Sequence, residues 1–317
     1  MSLVNAFQSY DIIGDVHGHA DELTDLLRSM GYNEKNEVFR HPSRKVIFLG
    51  DFIDRGPKQL ETLKVVMNMV DAGEALAVMG NHEFNALSYH TQHPQTRTWL
   101  RDHSEKNYGQ HEAFLTAFEK NTTIDSSLQD VLSFFWRLPL WLDLPGLRII
   151  HACWDRESME TIRPYLNSDN TLSLLGLVLA NDIHSVQFES VERLLKGVEF
   201  SLPNESFFTD SYGISRSNVR LKWWCNSTTR LEEVALTLNK HQLPQSTLDH
   251  VVPSEALIGY SPANPPLFFG HYWLDESPQR LAPNVACLDY SVAKQGKLVA
   301  YRWDGEMIID NEKFHIN

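Results

Sequence analysis

Short apolar runs that end abruptly in a polar residue constrain the fold of this chain more than any other feature. The runs are "YDIIGD", "KVIFLGD", "ALAVMGN", "LRIIHA" and "PLFFGH", and they have the length and composition typical of buried strands. In four of them a glycine directly precedes the polar residue: Gly14-Asp15, Gly50-Asp51, Gly80-Asn81 and Gly270-His271. Glycine lets the backbone turn sharply and approach a neighbouring group closely. The pattern predicts strands whose ends carry ligand-binding side chains.

Amphipathic helices separate the first three of these runs. Apolar residues recur at helical spacing first at Leu23, Leu26, Leu27 and Met30, and then at Leu60, Leu63, Val66, Met67 and Val70. Alternating strands and helices are typical of parallel strands joined by crossover helices, and ligands collect at the carboxyl ends of such strands. We therefore expect the polar residues that end the runs to lie together at one edge of a sheet.

The rest of the chain predicts a helical layer, an inserted lobe and a set of C-terminal strands. Residues 84–144 are typical of helices, most clearly in "HEAFLTAFEKN" and "SLQDVLSFFWRL". Residues at about 155–266 combine predicted helices ("SVERLLKGV", "RLEEVALTLNK") with loop-like stretches, and we interpret them as a lobe inserted into a single domain of residues 1–317. The tail alternates as antiparallel strands do, and Asp304-Gly305 suits a tight hairpin turn.

The charge and the cysteine content exclude several classes of protein. Asp and Glu number 41 against 28 Lys and Arg, a formal net charge of −13, so a polyanion such as duplex DNA would be repelled. The three cysteines are odd in number and widely spaced, which indicates thiols in a reducing compartment and no zinc finger. The richest apolar stretch, "VLSFFWRLPLWL", is interrupted by Arg137 and Pro139. We expect a cytoplasmic protein that binds neither long nucleic acid nor a membrane.

The strand-end residues supply a mixed set of candidate metal ligands. These candidates are Asp15, His17, Asp51, Asn81, His151 and His271. Carboxylate and amide oxygens suit hard divalent cations, whereas imidazole suits borderline ones. Six ligands exceed the need of one catalytic ion, so we expect two ions that share the carboxylate of Asp51. For each aspartate or asparagine taken singly, the alternative is a helix cap or a turn.

Three short blocks resemble the signature of a known enzyme family. "GDVHG" (14–18), "GDFIDRG" (50–56) and "GNHE" (80–83) are similar to the motifs of calcineurin-like metallophosphoesterases of the phosphoprotein phosphatase type. "NYGQHEAFLTAF", and "RLPLWL" before "IIHA", extend the similarity; "LFFGHYW", "ACLDYS" and "LVAYRW" resemble bacterial diadenosine tetraphosphate hydrolases and the phosphatase module of bacterial polynucleotide kinase-phosphatases. The resemblance covers roughly residues 10–151 and 265–305 and implies an α/β fold, a four-layer αββα sandwich with two mixed β-sheets.

The resemblance also implies a role for individual residues. It assigns Asp15, His17 and Asp51 to the first metal ion, and Asp51, Asn81, His151 and His271 to the second. It makes His82 the general acid, with Asp54 orienting it and Arg55 holding the phosphate. The nucleophile it implies is a hydroxide that bridges the two ions. The ligand set does not single out one ion, and we expect Mn²⁺, with Fe or Zn as alternatives.

Two further residues are candidates for contact with the substrate. Related enzymes use a second arginine from the part of the chain that contains Arg220 and Arg230, either of which could bind phosphate, and Asp289 in "CLDYS" matches an aspartate near the site of the bacterial relatives. For Asp289 the alternative is a turn residue. Trp223-Trp224 could stack a nucleotide base, but we expect these rings to pack in the core.

The sequence favours a metal-dependent phosphoesterase and leaves three functions open. The first is a phosphomonoesterase or serine/threonine-type protein phosphatase, which "GDFIDRG" with Asp54 favours. The second is a symmetrical dinucleoside polyphosphate hydrolase, a family that has a non-acidic residue at the position of Asp54 and "GNHD" in place of "GNHE". The third is a non-catalytic scaffold that binds phosphate groups. The expected partner is a phosphorylated small molecule, a nucleotide or a phosphoprotein.

Overall fold

Two mixed β-sheets and the helices around them form the core of the fold. The computed structural model of the chain describes residues 9–119, 127–209, 215–226, 229–236 and 243–317. The strands are β1 (Ser9–Ile13), β2 (Asn33–Lys35), β3 (Val38–Arg40), β4 (Arg44–Phe48), β5 (Ala75–Ala77), β6 (Trp141–Leu144), β7 (Leu147–Ile150), β8 (Glu199–Ser201), β9 (Phe208–Thr209), β10 (Ser215–Arg216), β11 (Asn218–Leu221), β12 (Ala235–Leu236), β13 (Leu267–Phe269), β14 (Val285–Cys287), β15 (Asp289–Tyr290), β16 (Lys297–Trp303) and β17 (Phe314–Ile316). The helices are α1 (Ala20–Ser29), α2 (Gln59–Asp71), α3 (Asn81–Tyr89), α4 (Glu105–Glu119), α5 (Leu128–Trp136), α6 (Arg156–Ile162), α7 (Leu174–Leu179), α8 (Val186–Lys196) and α9 (Leu231–Val234).

The first sheet contains three of the predicted strand ends. Its order is β15-β16-β1-β4-β5, and β17 also pairs with β16. β1 lies parallel to β4, with Ser9 opposite Arg44 and Ile13 opposite Phe48, and β4 lies parallel to β5. Helices α1 and α2 connect these strands and bury the apolar faces that the sequence predicts. The expected βαβαβ arrangement is therefore confirmed, with a small β2-β3 hairpin added in the first connection.

The second sheet contains the other two strand ends. Its order is β14-β13-β7-β6. β13 lies parallel to both β7 and β14, whereas β6 is antiparallel to β7. Because β7 and β13 run in the same direction, the residues that follow "LRII" and "PLFF" emerge at the same edge of this sheet.

Successive residues of the central strands face two different apolar cores. Ile12 of β1 packs between the sheets in one cluster with Ile149 and Phe268. Ile13, the next residue, belongs to the cluster on the helical side. Side chains alternate across a strand in this way when both faces of a sheet are covered. The layers are thus helix, sheet, sheet and helix, which confirms the expected fold class.

The described part of residues 155–266 packs against the second sheet. The indole Nε1 of Trp223 donates a hydrogen bond to the carbonyl of Ala152 at 3.1 Å. The rings of Trp223 and Trp224 lie 5.4 and 5.3 Å from the ring of Phe269 on β13. Both tryptophans are buried, as expected. The apolar core of this segment is therefore continuous with that of the helical side, and its description as a lobe inserted into one domain stays a prediction.

Two expectations about local structure are wrong. "RLEEVALTLNK" predicts a helix, but α9 ends at Val234 and the next residues form β12, because they pair with the free edge of β11. Asp304-Gly305 predicts a tight hairpin, but β16 ends at Trp303 and β17 begins only at Phe314. The longer connection places Ile309 between the two sheets, where it is fully buried. The end of each of "RLEEVALTLNK" and "HEAFLTAFEKN" lies outside the described residues.

Two of the three cysteines are buried thiols. Cys153 and Cys287 are buried, and Cys225 is half-buried.

Among the helices of the described residues, none has the length and apolar character needed to cross a membrane. The cytoplasmic location stays a prediction.

A buried aspartate links the central strand of the first sheet to both of its neighbours. Asp11 of β1 is fully buried, and its Oδ1 accepts hydrogen bonds from the Nε atoms of Arg44 on β4, at 2.9 Å, and Arg302 on β16, at 3.0 Å. Its Oδ2 accepts a hydrogen bond from the hydroxyl of Tyr32 at 3.0 Å. Removing one partner from a buried ion pair is costly because the remaining charge loses its compensation.

We expect Asp11→Ala to lower the free energy of unfolding by about 3–5 kcal/mol, since it leaves two guanidinium groups without their shared carboxylate. Urea denaturation measures this difference. The matched control is Asp71→Ala, which removes an exposed ion pair with Arg137 of 2.9 Å and should cost less than about 1 kcal/mol. Equal losses in the two variants would contradict the role of the buried carboxylate.

Candidate metal centre

The ends of five strands converge on the carboxylate of Asp51. Asp51 Oδ2 lies 3.6 Å from His17 Nε2 and 3.4 Å from His151 Nε2. His151 Nε2 also lies 3.1 Å from Asn81 Oδ1. Asp51, His151 and His271 each offer one ligand atom within 4.8 Å of the others, and so do His17, Asp51 and His82. Both sets share Asp51, the residue that the sequence predicts as the bridge.

Asp15 joins this cluster from the end of β1. Its Oδ2 accepts a hydrogen bond from the backbone N–H of His271 at 2.9 Å. All six predicted ligands are thus brought together, and all six are buried. Their role as ligands stays a prediction.

Several buried atoms of the cluster have no hydrogen-bond partner among the residues that the structure describes. They are Asp15 Oδ1, His17 Nε2, and the Nδ1 and Nε2 atoms of His271. Such atoms are costly inside a protein unless something binds them. Carboxylate oxygens and imidazole nitrogens are donors that divalent transition-metal ions accept. The cluster therefore fits metal ions, which would satisfy these atoms.

Backbone carbonyls orient two of the imidazole rings toward Asp51. His17 Nδ1 lies 2.9 Å from the carbonyl oxygen of Ile53, and His151 Nδ1 lies 2.8 Å from that of Leu49. A carbonyl can only accept, so each Nδ1 carries the proton. In the neutral form of each ring the Nε2 lone pair is then directed at the centre of the cluster, which is the arrangement found in metal-binding histidines.

Two glycines of the strand-end pattern make room for carboxylates. A Cβ atom on Gly80 would lie 2.2 Å from Asp51 Oδ1, and one on Gly270 would lie 1.9 Å from Asp15 Oδ1. Both distances are far below a van der Waals contact. Glycine precedes the polar residue at these two positions because the backbone of one strand end lies against the carboxylate of another.

Many residues of the site have a left-handed backbone conformation. Non-glycine residues with positive φ include His17, Asp51, Asp54, Arg55, His271 and Trp273, with φ between 46° and 72°. This region costs free energy for residues that carry a Cβ and is used where the surrounding structure enforces it. The sharp turns direct successive side chains into one small volume.

The electrostatics of the cluster indicate a deficit of positive charge. Burial raises the pKa of Asp15, and the carboxylates of Asp289 and Asp51 raise it further. Burial likewise raises the pKa of Asp289, to about 6. Burial also opposes ionisation of Asp51, but the imidazoles of His151 and His82 hold its pKa well below the usual range. Added cations would favour the charged form of all three carboxylates.

His82 lies between the cluster and a buried carboxylate. Its Nδ1 lies 2.5 Å from Asp54 Oδ2, and its Nε2 lies 3.9 Å from Asp51 Oδ2. The other oxygen of Asp54 lies 2.9 Å from Nδ1 of His111 on α4. Burial lowers the pKa of His82, but Asp51 and the hydrogen bond with Asp54 outweigh it and raise that pKa. The arrangement favours an imidazolium that can donate a proton.

His111 and Glu83 are functional candidates that the sequence reasoning missed. Glu83 Oε2 accepts hydrogen bonds from the backbone N–H groups of Asp51, at 2.8 Å, and Gly80, at 3.0 Å, and Oε1 accepts one from Phe52 at 2.8 Å. Burial, with the charge of Asp51, raises the pKa of Glu83 to about 7. A signal existed for Glu83, because a glutamate in the first turn of a helix often binds backbone N–H groups there.

A cleft of about 350 Å³ opens from the cluster toward solvent. Its lining includes five cationic side chains: Arg55, Arg101, Lys106, Lys196 and Arg220. Arg220 donates a hydrogen bond to the carbonyl of His271 at 3.3 Å. Of the predicted phosphate-binding arginines, Arg55 and Arg220 lie at the cleft and Arg230 does not line it; contact with substrate stays a prediction.

Asp289 lies behind the cleft. Its Oδ2 accepts a hydrogen bond from the backbone N–H of Trp273 at 2.7 Å, and its Oδ1 accepts one from Ser291 at 3.0 Å. The indole ring of Trp273 lines the cleft, and the guanidinium of Arg55 lies 5.2 Å from the ring centre. Asp289 thus contacts the backbone of Trp273, whose ring contacts Arg55. Its role as a substrate-binding residue stays a prediction.

The part of the chain that supplies Asp15, His17, Asp51 and Asn81 matches a known family. Residues 9–140 match the family described as calcineurin-like phosphoesterase. The match confirms the recognition of that family from "GDVHG", "GDFIDRG" and "GNHE", all of which lie inside the matched range.

Curated relatives of this chain include several proteins named as bis(5'-nucleosyl)-tetraphosphatase PrpE [asymmetrical]. The protein from Halalkalibacterium halodurans is 46% identical over 74 residues, which are 23% of this chain and 30% of the relative. The protein from Bacillus subtilis is 44% identical over 75 residues, or 23% of this chain and 31% of the relative. The chain thus matches less than a third of the length of these relatives. Among solved structures, the cold-active protein-tyrosine phosphatase of a Shewanella species is 17% identical with a TM-score of 0.46, over 98% of this chain and 80% of that one.

We expect Glu83→Gln to lower the affinity for metal about 10- to 100-fold, because an amide NH₂ would face a backbone N–H that now donates to a carboxylate. Calorimetric titration of metal-free protein with Mn²⁺ measures the change. The matched control is Glu112→Gln on the exposed face of α4, which should bind as the wild type does. Unchanged affinity in a folded Glu83→Gln protein would show that Glu83 does not position Asp51.

Proposed function

We propose that this protein is a metal-dependent phosphoesterase that hydrolyses phosphate esters. The observation that carries the proposal is the convergence of two sets of ligand atoms on Asp51, next to a histidine held by a buried carboxylate. Two adjacent metal sites with a proton donor at their side are the equipment of phosphate ester hydrolysis.

Two divalent ions would be held by Asp15, His17, Asp51, Asn81, His151 and His271. When bound, such ions activate water for attack on phosphorus and neutralise charge on the phosphate. The mixed oxygen and nitrogen set favours Mn²⁺, with Fe or Zn as alternatives.

His82 donates the proton that the leaving oxygen requires. Asp54 holds the ring through Nδ1, so Nε2 faces the cluster and carries the proton to be transferred. His111 hydrogen-bonds the second oxygen of Asp54, and this fixes the plane of that carboxylate. Burial raises the pKa of Asp54, but the hydrogen bonds from His111 and His82 outweigh it and lower that pKa to about 2, so the carboxylate stays charged throughout the cycle.

Arg55 and Arg220 bind the non-bridging oxygens of the phosphate. A guanidinium offers two parallel N–H donors to such oxygens. Trp273 limits the motion of Arg55 by packing against its guanidinium, and Asp289 limits that of Trp273 by binding its backbone. Asp289 therefore acts as a positioning residue in this proposal.

The substrate is a phosphomonoester or a phosphoprotein in the first reading, which Asp54 within "GDFIDRG" supports. A dinucleoside polyphosphate is the second candidate, supported by the names of the relatives in the matched segment. Those relatives are named as asymmetrical enzymes, whereas the C-terminal motifs resemble symmetrical ones. A non-catalytic scaffold has no use for a buried His82–Asp54 pair beside the ligands, which disfavours it.

Removal of metal should abolish hydrolysis of p-nitrophenyl phosphate, and added Mn²⁺ should restore it, because the activated water and the charge neutralisation both depend on the ions. Dialysis against EDTA followed by metal analysis and rate measurement tests this. In Asp51→Asn the ligand that both sets share loses its charge, so added metal should not restore the rate. Full turnover in metal-free protein would contradict the proposal.

His82→Ala should lower kcat for β-glycerophosphate about 10²- to 10⁴-fold, because an alkoxide leaves only with a proton. The loss for p-nitrophenyl phosphate should be much smaller, since p-nitrophenolate leaves without one. His184→Ala, which removes an exposed imidazole elsewhere, is the control and should change neither rate. Equal losses on the two substrates would mean that His82 is not the proton donor.

A further inference from the structure

One wall of the cleft lies beyond the metal cluster and is formed by α3, α4 and the segment between them. His82 and Asn85 on α3 both line the cleft. They are three residues apart, so Asn85 lies about 4.5 Å further along the helix axis. The groups held by Asn85 are therefore about one helical turn away from the proton donor.

Asn85 holds a guanidinium in the cleft. Arg101 donates one hydrogen bond to Asn85 Oδ1 at 3.1 Å and another to Gln110 Oε1 at 2.7 Å. Its backbone N–H donates to the carbonyl of Ser88 at 3.0 Å, which anchors the residue itself. Arg101 is half-buried. The side chain is ordered in advance of any ligand, and only some of its five N–H donors are used.

The partners of Arg101 are neutral amides. Among the residues that the structure describes, Arg101 forms no close ion pair, and the carboxylates of Asp102, Glu192 and Asp54 act on it only through space. Lys196, by contrast, forms an ion pair with Glu192 at 2.5 Å. The chain has a net charge of −13, yet five cationic side chains line this one cleft, beside the carboxylates of Asp51 and Asp54. A local concentration of positive charge of this kind attracts anions into the cleft.

A single phosphate at the metal cluster leaves these cations without a partner. In the proposed function Arg55 and Arg220 bind the phosphate that is hydrolysed, and they lie beside Trp273 and His271. Arg101 is held by α3 and α4 instead.

We propose that Arg101 and Lys106 form a second anion subsite, which binds a phosphoryl group next to the one that is hydrolysed. The inference rests on the proposed function and names its substrate class: a chain of at least two linked phosphoryl groups, inorganic or attached to a nucleoside. Arg101 provides the directed hydrogen bonds, and Lys106 at the rim of the cleft provides charge.

The test compares a substrate with one phosphoryl group and substrates with several. For Arg101→Gln, kcat/KM for inorganic triphosphate and for diadenosine tetraphosphate should fall about 10- to 100-fold, the effect of a lost charged hydrogen bond. The value for p-nitrophenyl phosphate should stay within about twofold. Arg101→Lys should recover part of the loss, and Lys106→Gln should show a smaller loss of the same selectivity. A loss of kcat/KM for only one of these two substrates shows whether the phosphoryl chain that the subsite binds is inorganic or attached to a nucleoside.

Arg97→Gln is the matched control, because it removes an exposed cation of the same segment that does not line the cleft. It should leave all three rates unchanged. Equal losses on one-phosphate and multi-phosphate substrates in Arg101→Gln, or no loss on any of them, would overturn the subsite.

A binding measurement separates this inference from the proposed function. Methylenediphosphonate and methylphosphonate resist hydrolysis, and calorimetry in Mn²⁺ buffer measures the affinity of the full chain for each. Both anions also bind free Mn²⁺ in the buffer, but to the same extent whichever protein variant is present. The affinities of the variants are therefore compared with each other. Arg101→Gln should weaken binding of the diphosphonate at least 10-fold and that of methylphosphonate less than twofold. If the wild type binds the diphosphonate more tightly than Arg101→Gln does but hydrolyses no phosphate ester, the phosphoesterase proposal is wrong and the subsite stands. If the two proteins bind the diphosphonate with equal affinity, the subsite alone is wrong.

Discussion

The carboxylate of Asp51 is the interaction on which the rest of the site depends. Its two oxygens face different partners: Oδ1 accepts the backbone N–H of His82, and Oδ2 lies near the rings of His17 and His151. Its own backbone N–H is bound by Glu83. A carboxylate buried without such partners would cost several kcal/mol. The surrounding residues therefore fix Asp51, and Asp51 in turn fixes the geometry between the two ligand sets.

The two sheets are needed because neither supplies all of these partners. The first sheet provides the strand ends before Asp15, Asp51 and Asn81, and the second provides those before His151 and His271. The apolar cluster between the sheets sets their separation. Glycines at 80 and 270 then allow the backbone of one strand end to lie against a carboxylate of another. The position of the site thus follows from packing that begins far from it.

Much of the site could be predicted from the sequence because each predicted ligand lies at or just after the end of a recognisable strand. Asp15, Asp51 and His271 are visible as the polar ends of apolar runs. His111 is not, because its role depends on α4 packing so that one face meets Asp54, and helix periodicity gives no information about that partner. Arg101 was missed for the same reason, since its neighbours Asn85 and Gln110 come from two different helices.

The errors in the fold have a similar physical origin. Local composition predicts a helix through residues 230–240, but the edge of β11 offers unpaired backbone groups that residues 235 and 236 satisfy. Asp304-Gly305 has the composition of a tight turn, but a short turn would keep Ile309 out of the space between the sheets. In both places a tertiary contact outweighs a local preference of well under 1 kcal/mol per residue.

The origin of the ligands on both sheets has a consequence for the folding equilibrium. An ion held by Asn81, at the end of a strand of the first sheet, and by His271, at the end of a strand of the second, would cross-link the two halves of the sandwich, so unfolding of either half would release it. Ligand that binds only the folded state raises the free energy of unfolding by RT ln(1 + [L]/Kd). With metal bound in this way, thermal tolerance of the chain would be coupled to the free metal concentration around it, and scarcity of metal would act on its lifetime as well as on the proposed catalysis.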